Sequence, residues 1–98
     1  MDINKIENNE ELTIAIVGRL DTSTAPQLEA ELNASLPGVT LLNFDLKELE
    51  YISSAGLRVL LSAQKTMNKQ GKMIVKNANE SVNEVFEITG FSDILTIE

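Results

Sequence analysis

The stretch VTLLNFDLKELEYISSAGLRVLLSAQKTMNKQGKMIV, residues 39–75, reads as a strand, a connection, a helix and a second strand. Val39 to Leu46 is nearly continuous in apolar residues, the pattern of a central strand covered on both faces or nearly so, so it is expected in the middle of the sheet. Residues 54–70 carry Leu57, Leu60, Leu61 and Met67 at helical spacing, with Arg58, Lys65 and Asn68 elsewhere around the wheel. Gly71 stands where a left-handed helix stop is expected, and Lys72 to Val75 makes a short strand. A strand, a crossover helix and another strand imply a parallel pair with the helix packed against it.

Upstream, Leu12, Ile14 and Ile16 alternate with polar or small residues, which predicts a strand over residues 12–18 buried on one face. Ile3 to Ile6 is a weaker stretch, and the turn-like Asn8-Asn9-Glu10 joins the two, so residues 2–17 read as an opening hairpin. Ala25, Leu28, Leu32 and Leu36 then share one helical stripe. Thr24 is the expected N-cap, with Gln27 three residues on as in a capping box, and Pro37-Gly38 ends the helix. Downstream, Asn79 is placed to cap a third helix lined by Val82, Val85, Phe86 and Thr89 before Gly90, and Ile94 to Ile97 reads as a final strand. The order β-β-α-β-α-β-α-β predicts an α/β fold: a mostly parallel mixed sheet of four to five strands with three or more packed helices, in one domain over residues 1–98.

The chain has 98 residues, with 8 basic and 15 acidic side chains and a net charge of −7. It contains neither cysteine nor histidine. Disulfides, thiolate nucleophiles and sulfur-rich metal sites are thereby excluded, and the commonest general base and metal ligand is missing. Ser53 and Ser54 have no histidine to activate them, so no enzyme activity is expected. Scattered bases on an acidic chain argue against direct nucleic-acid binding. The first 11 residues lack the pattern of a signal peptide, and no apolar run approaches the roughly 18 residues of a membrane span. A cytoplasmic location without membrane insertion is the expectation. Phosphate-cradling glycine loops are absent, and no cofactor is implied. Asp45, Glu48 and Glu50 read as a solvated rim around a strand end rather than a metal site, because the oxygen-ligand spacing of a calcium loop is missing.

Tyr51-Ile52-Ser53-Ser54-Ala55-Gly56-Leu57 departs from ordinary core patterning. Two hydroxyls precede an Ala-Gly pair at the start of an apolar helix, just beyond the carboxyl end of the central strand, where α/β sheets meet ligands and partners. A phosphate on Ser53 or Ser54 would be stabilised there by free N–H groups and the helix dipole. Small residues in the first turn are expected to keep it open to a bulky partner. The plain alternative is that a serine simply caps the helix. Likewise Asp21, Thr22 and Ser23 before Thr24 are ordinary turn and cap residues unless a partner uses them.

The segment Tyr51 to Leu61 resembles the signature of STAS domains, specifically the bacterial anti-sigma factor antagonists. The likeness extends over almost the whole chain: Gly18-Arg19-Leu20-Asp21 after the early strand, the Thr24-Ala25 helix start, the Leu42-to-Leu46 strand with Asp45, and Thr89-Gly90-Phe91 near the end. It implies a STAS fold and a partner-switching role. The unphosphorylated protein would bind an anti-sigma factor that is also a serine kinase, freeing a sigma factor, and a serine phosphatase would reverse the modification. Carried onto this chain, the phosphorylated serine is Ser54, and the partner surface comprises Asp21, Thr22, Ser23, Ser53, Ser54, Ala55, Gly56 and Leu57. One departure stands out: the family's aspartate before the target serine is Ser53 here. That change leaves room for a second reading, a STAS subunit that docks on the cytoplasmic ATPase of a transporter, such as a lipid-transport assembly, without a phosphate cycle.

Overall fold

The computed structural model describes residues 1–98. Its elements run β1 (Asp2–Asn8), β2 (Glu11–Leu20), α1 (Ala25–Ser35), β3 (Leu41–Asp45), β4 (Leu49–Ile52), α2 (Ser54–Gln70), β5 (Lys72–Lys76) and α3 (Glu80–Thr89), with a single 3-10 turn at Phe91–Asp93. β1 and β2 form the predicted hairpin, with Asp2 opposite Val17 and Asn8 opposite Glu11. Asn9 turns it at φ 59°, a left-handed conformation that asparagine tolerates better than most residues. The sheet order is β1-β2-β3-β5, and the β2–β3 and β3–β5 pairs are both parallel. The crossovers through α1 and α2 step across the sheet in the same direction. Right-handed connection therefore puts both helices on one face.

That face holds the core. Leu12, Leu42 and Met73 lie in one row across three strands, Ile14, Phe44 and Val75 in the next, and all six are buried. Leu28, Leu32, Leu57, Leu60, Met67, Val82 and Phe86 from the three helices join the same cluster. Each large side chain so buried contributes about 1.5–3 kcal/mol. On the opposite face Thr13, Asn43 and Ile74 form the matching row, and the buried Asn43 amide donates to Glu11 and Thr13. β3 is thus interior to the sheet and largely covered on both faces, as its composition implied.

Several expectations need correction. β4 lies within what read as a connection. The last segment does not form a strand: Ile97 makes a lone parallel bridge to Val75, held by Val75 N–H to Thr96 O and Glu98 N–H to Val75 O, both 2.8 Å. A 3-10 turn and the buried Leu95 occupy the residues before it. Gly71 is extended, at φ 172°, and not left-handed. Its glycine is required because a Cβ there would run into the Thr40 backbone, where β3 and β5 begin. Leu61 is half-buried and Thr89 exposed, so the α2 and α3 stripes are narrower than their spacing suggested.

Candidate functional site

β4 creates the site. It pairs in parallel with the far end of β2, matching Arg19 with Tyr51 and Leu20 with Ile52. The register shifts between Gly18 and Arg19, so that Glu50 is taken up as an extra residue on the β4 side. Gly18 supports this with φ 101°, which a side chain would resist, and its N–H donates to Glu48 O at 2.9 Å. Leu20 and Ile52 are buried, while Arg19 and Tyr51 point outward. The chain leaves β2 for α1 and β4 for α2 side by side, so the two loops singled out in the sequence lie together.

The start of α1 is built on Asp21. Its Oδ1 accepts from the Ser23 hydroxyl at 2.7 Å, from Ser23 N–H at 3.0 Å and from Thr24 N–H at 3.2 Å. The Ser23 hydroxyl chiefly holds the Asp21 carboxyl below the usual 3.8, helped by the Ser23 and Thr24 N–H groups and opposed by partial desolvation. Thr24 makes no side-chain cap to the helix. Its hydroxyl instead accepts from Asp21 N–H at 2.8 Å and donates to Arg19 O at 2.9 Å. The expected Thr24–Gln27 capping box is therefore replaced by an aspartate turn one step earlier, since the carboxylate outcompetes a neutral hydroxyl for the free N–H groups. Thr22 and Ser23 are exposed at the rim.

At the start of α2 the two serines divide the possible roles. Ser53, extended at φ −98° and ψ 176°, is the N-cap, and its Oγ accepts from Gly56 N–H at a long 3.4 Å. Its own N–H donates to Leu20 O at 2.9 Å, which fixes the cap to the end of β2. Ser54 is the first helical residue; it is exposed, and its hydroxyl has no partner within the chain. Ala55 is half-buried beside it. Gly56 and Leu57, also expected in the partner surface, are buried in the isolated chain. A Cβ on Gly56 would come within 2.7 Å of Leu20 and 2.9 Å of Ile52. The glycine thus seats α2 on the β2–β4 pair rather than opening the turn to solvent.

Arg19 and Tyr51 complete the exposed surface, and both were missed in the sequence because only the β4 pairing joins them. The Arg19 guanidinium lies 4.3 Å from the centre of the Tyr51 ring, and its Nε is 3.8 Å from Asp21 Oδ2. Such a cation–ring contact at an exposed site contributes about 0.5–1 kcal/mol. A shallow depression between the starts of α1 and α2 is lined by residues including Thr22, Ala25, Glu29, Ala55 and Arg58. Asp45 is occupied structurally, its Oδ1 accepting from Lys47 N–H and the Asn77 amide, both at 3.1 Å. No trio of carboxylates is placed to hold a metal ion. None of the helices is long and apolar enough to cross a membrane.

The family model of the STAS domain matches residues 2–98. The chain belongs to the STAS family. BtrV of Bordetella bronchiseptica, whose assignment as an anti-sigma factor antagonist is provisional, is 41% identical over 88 residues, covering 88% of this chain and 76% of its own. The anti-sigma-B factor antagonist of Bacillus subtilis strain 168 is 30% identical over 98 residues, covering 99% of this chain and 90% of its own. In fold, this STAS chain is similar to the Bacillus cell fate determinant SpoIIAA in its phosphorylated form, with a TM-score of 0.78, 19% identity, and coverage of 99% and 91% of the two chains.

Proposed function

We propose that this chain, as one STAS unit over residues 1–98, is an anti-sigma factor antagonist working in the cytoplasm. It binds an anti-sigma factor serine kinase while Ser54 is unmodified, which releases a sigma factor, and phosphorylation of Ser54 switches it off. One observation carries the reading: Ser53 holds the helix cap, leaving the Ser54 hydroxyl exposed and without a partner. That hydroxyl is free to be modified without dismantling the fold. The names of the curated relatives, and a fold neighbour solved in a phosphorylated form, support the same reading.

The chain is a substrate in this cycle, not a catalyst. In the kinase site the Ser54 O–H bond breaks as the Oγ–P bond to the γ-phosphoryl group of ATP forms; ADP leaves, and the kinase takes the proton. A phosphatase reverses the step with water. The new group carries about −1.5 to −2 charges. It stands in a surface whose other exposed members include Arg19, Thr22, Ser23, Tyr51 and Arg58. Placed in the middle of a contact, such a charge leaves the partner's groups desolvated and unmatched, at a cost of about 2–5 kcal/mol. No cofactor and no nucleic acid take part.

The test is a titration of wild type, Ser54→Ala and Ser54→Asp against the cognate kinase. The alanine chain is expected within about threefold of wild type, and the aspartate chain at least about tenfold weaker. Equal affinity of the two variants would overturn the switch and favour docking without a phosphate cycle.

A further inference from the structure

Arg58 stands one turn beyond Ser54 on α2, and both are exposed. Residues four apart on a helix have Cβ atoms about 5–6 Å from each other, and helical side chains lean toward the N-terminus. The long Arg58 arm can therefore reach back to the turn that Ser54 opens, and an acid at the earlier position of such a pair is the favourable order. Yet the guanidinium has nothing to hold. The chain's ion pairs join Lys5 to Glu7 and Glu31 and Arg19 to Asp21, and none involves Arg58. The first turn of α2 contains no acidic residue. Across the depression the facing acid is Glu29 of α1, while Asp21 is committed to Ser23, Thr24 and Arg19. Arg58 is the one basic residue in the first two turns of α2, and it is left without an ion pair.

We propose that Arg58 is the internal receptor of a phosphoryl group on Ser54, its planar N–H fork closing on two phosphate oxygens across one helical turn. The inference rests on the phosphorylation reading of Ser54 and assigns how that state is held. Modification then changes the surface twice: a dianion arrives, and the one exposed cation of the α2 start is drawn back onto its own helix. A partner that meets Arg58 in the unmodified protein loses that contact in the same event.

The experiment installs phosphoserine at position 54 during translation, so no kinase is needed, and follows the phosphate by phosphorus NMR as pH is varied. The second phosphate ionisation, ordinarily near about 6, is expected about half a unit lower in the wild-type background than with Arg58→Gln. Arg58→Lys should fall between them, and the difference should shrink toward zero at about 1 M salt. Glu29→Gln, which removes the competing acid, should enlarge it. Superimposable titrations of the wild-type and Arg58→Gln chains, both folded by circular dichroism, would overturn the proposal. So would a shift that survives Arg58→Gln and responds only to Glu29→Gln. Failure of the switch itself is read separately, from equal kinase affinities of the Ser54→Ala and Ser54→Asp chains, and leaves this titration unaffected.

Discussion

At the start of α1 one carboxylate oxygen gathers two backbone N–H groups and a hydroxyl, and Thr24 ties the same turn back to Arg19. At the start of α2, a few ångströms of sheet away, the whole side-chain cap is one bond of 3.4 Å from Gly56 N–H to Ser53. The first helix start is satisfied from within and presents a finished polar surface. The second is held from below, by Gly56 against Leu20 and Ile52, and leaves a serine hydroxyl and an arginine uncommitted on top. Rigidity from packing and freedom in hydrogen bonding are thus combined at α2, which suits a position that must be both located and chemically available.

Breaking the packing should have the largest effect. Gly56→Val forces two methyl groups into Leu20 and Ile52, and urea denaturation should show a loss of about 3 kcal/mol, the upper range for an overfilled core. Next comes the hydrogen-bonded start. Asp21→Asn should lower the midpoint of unfolding at neutral pH, because a weaker acceptor replaces the carboxylate. The folded value of Asp21 is depressed, so its contribution is complete above the ordinary 3.8 and is lost as pH falls through the lower folded value. The gap between wild type and Asp21→Asn should therefore close in strong acid, and denaturation midpoints from pH 7 down to about 2 would reveal a constant gap if the carboxylate charge were irrelevant. Smallest is the half-buried cap. Ser53→Ala should cost about 0.5–1 kcal/mol, whereas Ser53→Asp should stabilise by about 0.3–1 kcal/mol, less at high salt, by placing a charge at the helix dipole. If Ser53→Ala proved as damaging as Gly56→Val, the contrast between a packed and a capped start would be lost.

The same contrast explains what the sequence could and could not disclose. Elements with a long period were legible: α1 from Ala25, Leu28 and Leu32, α2 from Leu57, Leu60 and Met67, and β2 from Leu12, Ile14 and Ile16. β4 was not, because its buried positions Leu49 and Ile52 are three apart, an interval that the bulge at Glu50 produces and that breaks strict alternation. With β4 unseen, Arg19 and Tyr51 could not be brought together. The serines were legible as a pair, but which one capped and which stayed free depended on Ser53 N–H finding Leu20 O, a contact between strands distant in sequence. Gly71 was misread for a related reason: its neighbour Thr40, in the bend before β3, is distant in sequence.

The short β2–β4 ladder also dictates where the gene can change length. Inserting a codon around Lys47, in the exposed bend ahead of Leu49, would disturb one hydrogen-bonded turn but keep the alternation of the β4 side chains. Inserting one between Tyr51 and Ile52 would reverse which side chain faces Leu20, turn the serine cap away from its anchor and misalign everything that follows. The register of this surface is kept by a strand of four residues, of which only Tyr51 takes part in the exposed contacts.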